Sequence, residues 1–216
     1  MKKESSVLAR IAYFQGRRDE VPNQQLAEDL SRTKNRSGIR EIAENLQNEN
    51  ANIRADCLKV LYEIGYREPG LIVDYVDDLV KLLTSKNNRL VWGAMIGLST
   101  VAPLAAEAIG RHVDLIIDTM KKGSVITIDN GVSILAAVAS QEQGLRKRIM
   151  SFLFTHLKTC RSKDVPQHSE RMMAAINREN KEEFARIVSS RLGELSQSQL
   201  RRATKVIEKA LLKDQD

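Results

Sequence analysis

The chain has 216 residues, 42% hydrophobic and 29% charged, with a net charge of +6 and a pI near 9.4. It is too apolar for a disordered chain and long enough for one sizeable domain or a short array of repeats. Aromatic residues make up only 4%, so the core must come from Leu, Ile, Val, Ala and Met, a composition that suits helices better than a β-sandwich.

Met1-Lys2-Lys3-Glu4 runs into Ser5-Ser6 and not into an apolar segment, so a secretory leader is not expected. No stretch approaches the roughly 18 apolar residues of a membrane span. Two cysteines, Cys57 and Cys160, form no CxxC pair and no disulfide framework, which suits a reducing cytoplasm. Val7-Leu8-Ile11-Ala12 and Leu26-Ala27-Leu30 carry helical spacing and predict two N-terminal helices. Ile39-Ile42-Ala43-Leu46 predicts the next helix. The turn Asn48-Glu49-Asn50 then leads to a helix over Ile53–Ile64, whose stripe is Cys57, Val60, Leu61 and Ile64.

The same unit then recurs. Val76-Leu79-Val80-Leu83, the turn Ser85–Asn88 and a helix over Leu90–Val101 repeat it, with the stripe now Ala94, Gly97, Leu98 and Val101. Val113-Ile116-Ile117-Met120, the turn Lys122-Gly123-Ser124 and Thr127–Val138 repeat it again, on Gly131, Ile134, Leu135 and Val138. Ile149-Phe152-Leu153-Leu157, the turn Arg161–Asp164 and Val165–Ile176 give a weaker copy on Ser169, Met172, Met173 and Ile176. Successive stripes begin at residues 57, 94, 131 and 169, a period in the range of helical repeat arrays. The first stripe residue is always small, which lets a neighbouring helix approach closely. Asn, Ser and Asp in the turns are placed to cap the following helices, and Pro166 suits a first helical turn. Phe184-Ile187-Val188-Leu192 and, after Ser196, Leu200-Val206-Ile207-Leu211 predict a fifth, degenerate pair.

The segment Asn52–Gly65, with its apolar-Arg-x-x-small opening and closing glycine, resembles the second helix of the HEAT-repeat (armadillo-like) family. The resemblance spans about residues 36–180. It implies an all-α fold: one domain over 1–216, a right-handed α-α superhelix (solenoid) of about five helix pairs. Residues 1–35 would form an N-terminal cap, 36–180 the repeats and 181–212 a capping repeat.

The resemblance also implies that the second helices line a concave face. At about 100° per residue, the stripe opposite the core on those helices is Ala55, Lys59, Tyr62 and Tyr66, then Trp92, Ile96, Ser99 and Pro103. It continues as Asp129, Ser133, Ala136 and Ser140, then Gln167, Arg171, Ala174 and Arg178. Trp92 is the sole tryptophan, and two readings of it stand: an exposed anchor for a ligand or a side chain packed between repeats. The expectation is a monomeric, non-enzymatic cytoplasmic scaffold binding a protein or peptide, with Trp92 and Tyr62 as anchors. Lys59, Asp129, Gln167, Arg171 and Arg178 would be its polar guides.

Nucleic acid is the alternative partner. Residues 121–216 carry 18 basic and 11 acidic side chains, whereas residues 44–120 carry 7 and 11. Some HEAT-like solenoids are alkylpurine DNA glycosylases with tryptophans and an essential Asp in a basic groove, which Trp92 and Asp129 superficially resemble. Here the two fall in different repeats, and Ile96 stands one turn after Trp92. No nucleotide, hydrolase or zinc-protease motif is present, so no cofactor is expected. His156, Cys160, Asp164 and His168 recur every fourth residue. The Arg161–Asp164 turn and Pro166 are expected to separate His168 from His156, so no metal set is expected either.

Overall fold

The computed structural model describes residues 6–213; the Met1–Ser5 segment weighed above for targeting lies outside them. Twelve α-helices and no strand occur among the described residues. The chain gathers into two compact units, residues 1–130 and 131–216.

The first unit contains α1 (Val21–Thr33), α2 (Arg36–Glu44), α3 (Ala51–Arg67), α4 (Val76–Leu82), α5 (Asn88–Val101), α6 (Ala106–Gly110) and α7 (Val113–Lys122). The helix α8 (Val125–Gln141) runs through the division. The second unit continues with α9 (Gln143–Thr159), α10 (Val165–Met172), α11 (Lys181–Ser190) and α12 (Gln197–Leu211). The five expected pairs are therefore α2/α3, α4/α5, α7/α8, α9/α10 and α11/α12.

Local chemistry starts these helices where the sequence places them. Asn35 Oδ1 accepts from Gly38 N (2.9 Å), Asn50 Oδ1 from Asn52 N (2.9 Å) and Asn87 Oδ1 from Arg89 N (3.0 Å). Each satisfies an N–H that the first helical turn leaves without a backbone partner. Pro166 stands in the first turn of α10. Asp164 does not cap that helix: its carboxylate is held by Arg161 at 2.6 and 3.1 Å.

The helical phase read from the sequence is the phase of the core. Leu61, Leu98 and Leu135 are all 0% exposed, and the small stripe residues Cys57, Ala94, Gly131 and Ser169 are buried. In the first unit α3 packs between α1 and α5, with α2 packed on α3 and α4 on α5. In the second, α10 packs on α9 and α12, and α11 on α9 and α12.

Three features differ from expectation. Val7–Arg10 forms only a short 3-10 turn, and Ile11 is extended. The N–H groups of Ala12 and Tyr13 go to Asn23 Oδ1 (2.9 Å) and Asp56 Oδ2 (2.8 Å), a local alternative to helical bonds. Second, each of two repeats contains an extra short segment that the pairwise reading passes over: Pro69–Leu71 with Val73–Tyr75, and α6. Ile72 and Ile109, 37 residues apart in the sequence, are both fully buried there. Third, α10 ends at Met172, where one 3-10 turn leads into extended Ile176. Arg178 consequently lies in the turn after the helix, closed by Asn180 Oδ1 accepting from Asn177 N at 2.9 Å.

Candidate functional site

The stripe opposite the core is not an open face along its whole length. α3 is flanked by α1 and α5 as well as backed by α2, so residues 55–62 are almost all covered. Lys59 is 7% exposed and Tyr62 6%. Their burial corrects the expectation that both project freely toward a partner: a helix with neighbours on three sides keeps little of its fourth face.

Lys59 is instead the centre of an ion-pair chain. Its Nζ lies 2.8 Å from Glu63 Oε1 and 2.9 Å from Glu20 Oε2, and 4.8 Å from the centroid of the Tyr62 ring. Burial opposes the lysine charge, but the hydrogen bonds to Glu63 and Glu20 outweigh it and hold its pKa above the ordinary value. Burial likewise raises Tyr62, only partly offset by Lys59. The chain continues outward at both ends. Arg67 Nη1 meets Glu63 Oε2 at 2.8 Å, and Arg89 Nη2 meets Glu20 Oε1 at 3.3 Å. Glu20, the residue preceding α1, thus joins α3 to α5, and nothing in the repeat pattern marks it.

Trp92 stands beside this chain. It is half-buried and shares a niche with Glu20, Ala55, Lys59, Tyr62, Arg89 and Gly93. In burial Trp92 falls between the two sequence readings: one part packs against α3 and another reaches the surface. Tyr66, 60% exposed, meets Tyr62 edge to face with ring centroids 6.2 Å apart. The first unit therefore presents two part-exposed aromatics with Arg89, Glu20 and Arg67 around them. Asp129 lies in α8, half-buried, on a different helix from Trp92.

In the second unit Gln167 and Arg171 are half-buried on α10, and Arg171 Nη1 donates to Ser133 Oγ at 2.7 Å. Arg178 is exposed but off the helix, as described. The basic surplus here is partly matched by acid: Arg161 with Asp164, Arg191 with Glu194 and Arg202 with Glu170 form ion pairs at 2.6–2.8 Å.

The structure also corrects the separation of the two histidines. His156 Nε2 and His168 Nδ1 lie 3.0 Å apart, because α10 packs back onto α9 after the turn.

No family model matches the sequence, and no curated protein matches it. Solved structures do. An engineered protein from the Northeast Structural Genomics Consortium is 18% identical, with a TM-score of 0.64, over 94% of this chain and 97% of its own. A designed armadillo repeat protein is 13% identical with a TM-score of 0.66, over 95% of this chain and 98% of its own. A second designed armadillo repeat protein, solved in complex with a (KR)4 peptide, is 14% identical with a TM-score of 0.66, over 87% and 86%. Likeness at such low identity speaks for fold alone, and on that ground the chain has the fold of the HEAT- and armadillo-type helical repeat solenoids.

Proposed function

We propose that this protein is a non-enzymatic scaffold that binds an extended protein segment across the first unit, with Trp92 as the apolar anchor. The observation that carries the reading is the half-exposed Trp92 set beside a pre-formed chain of alternating charges, Arg89–Glu20–Lys59–Glu63–Arg67. An aromatic already held in place loses little freedom on binding. Both signs of charge flank it, which suits a polypeptide better than a uniform phosphate backbone. Tyr66 replaces Tyr62 as the second aromatic available to a ligand, and Lys59 acts by positioning Glu20 and Glu63. A similar designed solenoid was solved with a peptide bound, which supports the class of ligand. Gln167 and Arg171 belong to the second unit and are to be tested separately.

The test is selection of peptides from a random display library on the full chain at about 150 mM salt, followed by affinity measurement. Trp92→Ala should weaken selected peptides by about tenfold or more, as expected when an interface anchor is removed. Lys81→Ala, an exposed change on α4, should leave them unchanged. Peptides indifferent to Trp92→Ala would refute the anchor. No selected peptide, together with binding of duplex DNA or RNA that collapses between low and physiological salt, would favour the rival reading.

A further inference from the structure

His156 occupies the last turn of α9 and Cys160 is its C-terminal cap, with Cys160 N donating to His156 O at 2.8 Å. A spacing of four at a helix end puts both side chains on one face. His168, buried in α10, meets that face: the two imidazole centroids are 4.9 Å apart and inclined by 42°. One nitrogen of each histidine and the Cys160 sulfur all lie within 4.8 Å of one another. Tetrahedral zinc with ordinary bond lengths holds two nitrogens about 3.3 Å apart and a nitrogen and a sulfur about 3.6 Å apart. The two nitrogens, at 3.0 Å, are already near that spacing, and the sulfur needs a shift of roughly an ångström at most.

We infer that His156, Cys160 and His168 form a binding site for a borderline-soft divalent cation, with Zn2+ as the fitting ion and its fourth position left to water. Two imidazoles and a thiolate are the donor set such an ion prefers, and magnesium or calcium, which take oxygen, would be refused. On binding, the Cys160 thiol gives its proton to solvent as the sulfur–metal bond forms. The His156–His168 hydrogen bond is replaced by two nitrogen–metal bonds, and the histidine that donated it takes its other tautomer, its ring proton passing by way of solvent to the nitrogen that does not bind the metal. The backbone of the site is fixed from a third helix: Arg191, at the end of α11, donates to Leu157 O at 2.8 Å and Cys160 O at 2.9 Å. Its charge does not repel the ion unopposed, because Glu194 pairs with it at 2.8 Å. His156 and Cys160 are each only half-buried, which leaves an entry path.

The experiment uses the full chain, stripped with a chelator and titrated with Co2+ and then Zn2+. One equivalent of Co2+ should give the visible bands of tetrahedral cobalt together with a near-ultraviolet thiolate-to-metal band, and Zn2+ should displace both. Zn2+ should also raise the thermal midpoint of the wild type, and Mg2+ should not. Cys160→Ser, at a half-exposed position, should retain the wild-type far-UV circular dichroism, lose the thiolate band and bind Zn2+ about 100-fold or more weaker, since even changes around a ligand cost up to that much. The inference fails if Co2+ gives no tetrahedral spectrum, if its spectrum lacks the thiolate band, or if Cys160→Ser binds as the wild type does. In those cases the cluster is a packing contact between two histidines.

Discussion

At the scale of single residues, several charged groups of this fold bond to backbone carbonyls, Lys213 and Arg191 among them. Arg191 is the best example: besides its two bonds to the last turn of α9 it donates to both carboxylate oxygens of Glu194, at 2.8 Å each. Hydrogen bonds from Arg191, with one more from Ser162 Oγ, hold the Glu194 carboxyl at about 2, against an ordinary value of 4.5. A carboxyl with a depressed folded pKa stabilises the fold fully above its unfolded value, and that contribution disappears as pH falls toward the folded one. Acid unfolding followed by circular dichroism should therefore show stability falling between about pH 4.5 and 2. Glu194→Gln should flatten that slope, and an unchanged slope would show that the pair contributes nothing. Arg191→Ala strips partners from Leu157 O and Cys160 O as well, and should cost about 1.5–3 kcal/mol, the range for a hydrogen bond involving a charged group. Of these contacts the sequence shows only the local Arg191–Glu194 spacing. The reach to Leu157 and Cys160, more than 30 residues back, depends on how α11 packs.

At the scale of elements, close helix approach explains which positions the sequence revealed and which it hid. Gly65 stands in the last turn of α3, where the repeat pattern expects a glycine, and a Cβ there would press on Thr100 and come within 2.9 Å of Ile72 Cδ1. Thr100 has little room to yield: it is β-branched, and its Oγ1 donates to Gly97 O at 2.7 Å. Gly65→Ala should therefore destabilise by roughly 1–3 kcal/mol through overpacking, despite the better helix propensity of alanine. A gain in denaturation midpoint would show that α3 and α5 yield readily at this contact. The apolar stripes were legible because each side chain of a stripe faces the same core at a fixed helical angle. The opposite stripe was misjudged because exposure depends on flanking helices, which periodicity within one helix does not record. That is why Lys59 and Tyr62 proved buried while Trp92 did not fully emerge. Arg178 was misplaced for a different reason: the apolar run extends to Ile176, but the α-helix ends at Met172, and a 3-10 turn over Met173–Ala175 carries the chain into extended Ile176 and the Asn177–Asn180 turn. His168 was separated from His156 by a correct reading of the turn. What was missing was that a turn between antiparallel helices returns the chain to its own preceding face.

At the scale of the molecule, α8 decides whether the chain is one domain, as its repeats suggest. The division between the two compact units falls between Asn130 and Gly131, inside this helix. Melting either unit alone would require ending α8 in mid-course, with loss of its backbone bonds and of the nucleation already achieved. Repeat arrays couple through nearest neighbours, and we propose that this coupling makes 1–216 unfold as one domain. The sole tryptophan gives a direct test, because Trp92 reports only on the first unit while far-UV circular dichroism reports on all helices. Leu61 belongs to the first unit and Leu135 to the second, and both are fully buried. Each change to alanine should cost about 2–5 kcal/mol, the range for a large-to-small change in a core. In a single cooperative domain, Leu135→Ala should lower the midpoint seen by Trp92 fluorescence as much as the midpoint seen by circular dichroism, as Leu61→Ala does. If fluorescence of Leu135→Ala instead keeps the wild-type midpoint while part of the helical signal melts early, the two units are independent domains. Any ligand anchored at Trp92 would then stabilise only the first of them.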